Sequence, residues 1–305
     1  MKISPVFLII LFVICFGFGG RLWYQLDYVE GQLNNTKVQL DSVTVQLGEA
    51  KNKVSVVKHE LKRTVNALDA TKNQLQIIED DNALMLGQYA SFKREIEYRA
   101  GVIKQDCQGF ITPNNNLVSE KAREITGGYS EDTNERWRDY YRLYEWVVNN
   151  IHYSYDSNIP LLPESLTGEL IWHKSYWRLP EETLIDKTGD CEDMAVLLVS
   201  LMRSYNQEKY TIWGIRISSG VPDASSHIGV ALPVEGGRLT IVDPAGNYYT
   251  GSGSLSSESF SVAVNKWSVH LESKIPEGFI SGVFTDDFYY EFNNTAEFLT
   301  WIEGR

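Results

Sequence analysis

Cysteine is scarce in this chain of 305 residues: Cys15, Cys107 and Cys191 are its three, each in a different segment. That number and scatter exclude a disulfide framework and a four-cysteine zinc site, so each thiol is read alone. Proline is absent from 6–112, which leaves a long stretch without the residue that most reliably ends a helix. No dense Lys/Arg run with interleaved aromatics occurs, and the formal charge is −12. The charge is uneven. Residues 1–97 hold 11 Lys/Arg and 11 Asp/Glu, whereas residues 98–305 hold 17 and 29. The second part repels a phosphate backbone, and no nucleic-acid partner is expected.

What is present begins with an apolar run. From Ile3 to Gly20 only Ser4 is polar, Lys2 precedes the run, and Arg21-Leu22-Trp23-Tyr24 follow it with aromatics at interface height. Residues 1–24 are expected to form a transmembrane anchor. A cleaved signal peptide fits less well, because there is no Ala-x-Ala pattern and only Gly17 to Gly20 offer small residues. The flanking charges favour the amino terminus inside, so the expected location is a single pass in the cell membrane with the remainder extracytoplasmic.

Residues 25–100 are expected as a coiled-coil stalk. An alternation of three and four runs from Leu22 through Leu26, Val29 and Leu33 to Asn82 and Met85, and fifteen of its nineteen positions are apolar. Sustained over about eight heptads, this period implies a left-handed coiled coil. Leucine dominates one core position, while valine, threonine and alanine share the other. Thr36, Thr64, Thr71 and Asn82 weaken the seam. A homo-oligomer is therefore expected without a defined copy number.

The heptads fade after Tyr89. Gly101, then Gly109 to Asn116 with Pro113, read as a break, and a globular domain is expected over 110–305. A helix is expected from near Glu131, capped by Asp132 or Thr133, with Trp137, Tyr140, Tyr144, Val147 and Ile151 on one face. Gly189-Asp190-Cys191-Glu192-Asp193 leads into the apolar stretch Met194 to Met202. This places a lone cysteine in the first turn of a buried helix, where unpaired amides and the helix dipole favour a thiolate. Tyr210 to Ser218 reads as a strand, and 219–226 as a loop. His227 to Val234 and Arg238 to Asp243 flank Glu235-Gly236-Gly237 as a hairpin. Folding it brings His227 opposite a residue between Asp243 and Gly246, close enough for an imidazole to meet a carboxylate. Phe260 to Val269 is expected as another strand, and the aromatics of 286–301 as core. His59, His152, His173 and His270 show no partner pattern.

Cys191, His227 and Asp243-Pro244 resemble the three motifs of the transglutaminase-like superfamily: Gly-x-Cys opening a helix, His starting a strand, Asp-Pro ending the next. The lead-in Trp177-x-x-Pro180-Glu181-Glu182-Thr183-Leu184 is similar to that of prokaryotic members. The resemblance covers roughly 130–250 and implies an α+β fold with a papain-like core, a nucleophile helix packed on an antiparallel sheet. It also implies acyl transfer by a catalytic Cys191, His227 and Asp243, with Trp177 as a second oxyanion donor beside the Cys191 amide. Bacterial transglutaminase-like cysteine peptidases carry a similar Asp-Cys-Glu-Asp motif and depend on calcium. Asp190 and Glu192 are thereby calcium-ligand candidates, against the plainer reading of solvated helix caps; no other cofactor and no established metal site is expected.

The resulting expectation is a membrane-tethered thiol enzyme, a cysteine peptidase or amidase acting on protein or peptide substrates. The alternatives are a protein cross-linking transglutaminase and a non-catalytic peptide-binding module on the same rod.

Overall fold

In the computed structural model the described residues are 4–100, 104–165, 167–221 and 226–305. Ile3, Gly101 and residues 222–225 of the expected 219–226 loop lie outside them. The chain divides into two compact units, Met1–Leu86 and Gly87–Arg305.

The first unit is helical. Helix α1, Pro5–Ala100, runs without interruption, as a proline-free and periodically apolar stretch should. Its N-terminal window has a mean hydropathy of 2.2 over 18 residues, enough by length and composition to cross a membrane. The last turns of α1 belong to the second unit. There Tyr89 donates to the Pro163 carbonyl (2.6 Å), the Trp177 amide donates to the Arg99 carbonyl (3.1 Å), and Arg99 pairs with Glu182.

The second unit is α+β. Its helices are α2 (Asn116–Thr126), α3 (Thr133–Asn150), α4 (Pro180–Asp186), α5 (Cys191–Tyr205), α6 (Phe260–Leu271) and α7 (Thr295–Glu303). Its main sheet has strands β1 (Trp213–Ser218), β2 (Ser226–Val234), β3 (Arg238–Asp243), β4 (Tyr248–Tyr249), β5 (Glu258–Ser259), β6 (Phe279–Phe284) and β7 (Tyr289–Glu291). All its pairings are antiparallel, in the order β7-β6-β1-β2-β3-β4, with β5 also on β3.

Both faces of the sheet are covered. Ile228, Val230, Leu232 and Val242 face the core that holds α5, and Ala231, Leu239 and Ile241 face the one that holds α6. This alternation is the period of two that an antiparallel strand imposes. Helix α5 is apolar nearly all round and buried from Cys191 to Arg203, as a central helix must be.

Several expectations give way to packing. Phe260 to Val269 is not a strand but most of α6: Ala263, Val264, Trp267 and Leu271 are buried at helical spacing, and that stripe outweighs the β-branched content. The stretch 109–116 is not a bare linker. A 3₁₀ turn, Lys104–Phe110, buries Cys107 and Phe110 in the α5 core, and α2 starts at Asn116 under an Asn115 cap. The expected caps and hairpin are found: Asp132 accepts from the Glu135 amide at the start of α3, and β2 joins β3 through Glu235-Gly236-Gly237. Gly236 (φ 79°) and Gly237 (φ 72°) take the left-handed conformations that this turn needs.

Candidate active site

Helix α5 begins at Cys191 itself. The turn before it is tight: a Cβ on Gly189 would lie 2.6 Å from the Asp193 Cβ, so glycine lets the two strands of chain close up. Asp193 is fully buried and accepts from the Arg178 amide (2.8 Å) and the Asp190 amide (3.4 Å). It thereby ties the Trp177-Arg178 segment to the helix start.

On the sheet, His227 Nε2 donates to Asp243 Oδ2 at 2.7 Å, with both side chains buried. The β2–β3 register pairs Val230 with Val242, and continuing it sets His227 opposite Ala245, diagonal to Asp243. Asp243 is held further by the Gly246 amide (2.7 Å) and by the Trp267 indole N–H from α6 (2.9 Å). A Cβ on Gly246 would fall 2.3 Å from the Asp243 carboxylate. With its proton on Nε2, the imidazole keeps Nδ1 as an acceptor. The Ile228 amide, next in chain to His227, hydrogen-bonds the Cys191 sulfur.

The electrostatics around the sulfur run opposite to the simple helix-dipole expectation. Burial first, then the carboxylates of Glu192 and Asp190, push the Cys191 thiol well above its ordinary value, and only the Ile228 amide opposes them. The thiol donates to Glu192 Oε2 (3.0 Å), while Ser175 donates to Glu192 Oε1 (3.3 Å). Burial raises Asp190 to about 10, Asp193 to about 7 and Asp156 to about 6.

The reading of Asp190 and Glu192 as solvated caps is therefore replaced: they are 9% and 8% exposed, and Asp190 Oδ1 has no hydrogen-bond partner. Ligand atoms of Asp190, Cys191 and Glu192 lie within 4.8 Å of one another. Two buried carboxylates with an unused oxygen fit a hard cation such as calcium, which takes oxygen rather than sulfur.

Trp177 is not an oxyanion donor here. It is buried between Phe110 and Phe284, at ring distances of 5.4 and 5.9 Å. His173 and His270 bond backbone carbonyls, of Ser175 and Gly246, and His59 and His152 are exposed. The aromatics after 286 join the α6 and α7 core. Sequence reasoning missed Trp267 and Gly246, whose roles come from tertiary placement alone. A cavity of about 170 Å³, lined by Asp156, Tyr176 and Arg178, lies against Gly189. A larger one of about 680 Å³ lies by Trp137, Tyr141 and Val234, at the far end of β2 from His227.

Residues 123–252 match the family model described as a transglutaminase-like domain, over less than half of the chain. The chain carries a transglutaminase-like domain. No curated protein matches it significantly in sequence. Solved structures that align with it include Legionella pneumophila LapG in an EGTA-treated form, 16% identical over 58% of this chain and 86% of that one, TM-score 0.30. The calcium-bound form of the same protein is 17% identical over 57% of this chain and 87% of that one, TM-score 0.29. A proposed cysteine protease from Cytophaga hutchinsonii is 12% identical over 60% and 50%, TM-score 0.29. Within the transglutaminase-like domain the matched span takes in Cys191, His227 and Asp243 together.

Proposed function

We propose that this protein is a membrane-tethered thiol enzyme whose transglutaminase-like domain cleaves amide bonds of proteins or peptides outside the cytoplasm. The observation that carries the reading is the buried His227–Asp243 hydrogen bond, beside a cysteine that opens a helix and takes the next amide of the same strand.

In the proposed reaction His227 Nδ1 takes the Cys191 proton as the sulfur attacks the substrate carbonyl carbon, and Asp243 stabilises the imidazolium that results. The Cys191 backbone N–H, at the first helical position, is placed to donate to the oxyanion. Collapse breaks the C–N bond, and the imidazolium returns the proton to the leaving amine. A water, deprotonated by the same imidazole, then releases the acid from the thioester and restores the thiol. An amine in place of that water would give a new amide, which is the cross-linking outcome.

Calcium held by the Asp190 and Glu192 carboxylates would supply positive charge beside the sulfur and remove Glu192 as the acceptor of the thiol proton. The N-terminal apolar stretch of α1 is proposed as the tether, with the domain extracytoplasmic.

The burial of Cys191 and its hydrogen bond to Glu192 favour a second reading, a peptide-binding module without turnover. A thiol-directed activity probe separates the two. Labelling of Cys191 that fails in His227→Ala supports the enzyme; equal labelling of both proteins, or of neither with calcium present, supports the binding module.

A further inference from the structure

Helix α1 offers a face that nothing in its own unit covers. Every described residue from Ser4 to Leu86 is exposed, the seam leucines included, with Leu33 at 66% and Leu40 at 64%. A helix of this length, with so much apolar surface, is held in water by partners rather than by propensity. Because α1 has no break, its steps of three and four keep one phase throughout.

That phase assigns the core layers. Three residues forward from position a lies position d, so Leu26 is a and Val29 is d. Leucine fills seven of the eight a positions from 26 to 75, and Val, Thr or Ile fills seven of the eight d positions from 29 to 78. Two-stranded parallel coils favour the reverse, with β-branched residues at a and leucine at d. Leucine at a with β-branched residues at d shifts the preference to three or four strands.

The flanks point to like chains. Position g is glutamine at 25, 32, 39 and 46, so no charge code selects a different partner over that half of the rod. The equal numbers of acidic and basic residues in 1–97 leave copies without net repulsion. In parallel register Lys53 at g meets Lys58 at e of the neighbouring copy, and it is the one pairing in which both flanking side chains are charged. The apolar N-terminal segment sits at one end of every copy, and a membrane would hold those ends side by side.

We infer that α1 assembles as a parallel coil of three or four copies of this chain. The orientation rests on the membrane reading above. The copy number does not, and neither depends on thiol chemistry.

Sedimentation equilibrium of the full chain in density-matched detergent is expected to give the protein mass of three or four copies; one, two, or more than four would overturn the inference. A core-exchange variant, Leu40→Ile, Leu47→Ile, Leu61→Ile and Leu68→Ile with Val43→Leu, Val57→Leu, Thr64→Leu and Thr71→Leu, is expected to fall to two, and an unchanged mass would overturn the layer argument. Oxidation of Leu47→Cys in a Cys15→Ser background is expected to link neighbouring copies; failure to link would overturn the parallel register.

Discussion

The immediate surroundings of one sulfur decide whether this domain turns over, and they pull in two directions. His227 and Asp243 form a base with its orienting acid, while Glu192 holds the thiol proton and burial holds the thiol neutral. Cys191→Ala and His227→Ala are expected to abolish turnover. Asp243→Asn is expected to lower kcat by about two to four orders of magnitude, as loss of the tautomer-fixing acid does elsewhere. Peptide-bond cleavage assays on the folded variants check this.

A second prediction follows from Asp193, whose folded value of about 7 lies above its ordinary 3.8. Between those values the folded state keeps a proton that the unfolded state releases, so stability falls as pH rises from about 4 to 7. Asp190, raised to about 10, extends the loss to higher pH. In EGTA the melting temperature should drop between pH 5 and pH 8, and calcium should restore it at pH 8. A rise with pH in EGTA would contradict the buried-carboxylate account. At this scale the sequence showed much: Cys191 at a helix start and His227 diagonal to Asp243 are legible from spacing and turn chemistry. The reversal of the thiol's electrostatics was not legible, because exposure of Asp190 and Glu192 depends on packing from β1, β2 and the Ser175 segment.

Elements hold the His–Asp pair from three sides. Asp243 ends β3, Gly246 closes the turn after it, and Trp267 reaches it from α6. Trp267→Phe removes a buried donor and is expected to cost about 1–3 kcal/mol in stability and to lower kcat more than it raises KM; denaturant melts and steady-state kinetics measure the two effects. Gly246→Ala should be worse than most surface glycine replacements, since its methyl group would collide with the carboxylate. Leu198→Ala, in the middle of α5, should cost about 2–5 kcal/mol and leave the site residues chemically intact.

Strand β3 and the Gly236-Gly237 turn could be read from local composition because alternation and turn residues act at short range. Helix α6 could not. Its β-branched residues suggest a strand, and only the sheet face it covers makes Ala263, Val264 and Trp267 a helical stripe. Likewise α2 and the turn at 104–110 look like linker until Phe110 and Val118 are seen in the core.

At the scale of the whole molecule, the fold class and the long helix were legible, because an antiparallel hairpin, a buried helix and an unbroken heptad pattern each leave a periodic trace. The place where the globular unit begins was not. Its compact part starts at Gly87, so the end of α1 serves two units. A chain starting at Gly87 is expected to melt as the full domain does. One starting at Gly109 loses the Arg99–Glu182 pair, the acceptor of the Trp177 amide and the Tyr89 link, and should melt several degrees lower.

The same ties have a mechanical consequence. The Arg99 carbonyl holds Trp177, the Arg99 guanidinium holds Glu182, and between them the Arg178 amide holds the carboxylate beneath the nucleophile. Tension on the last turn of α1 would load that segment first, so strain in whatever anchors the rod would be felt within a few bonds of the sulfur.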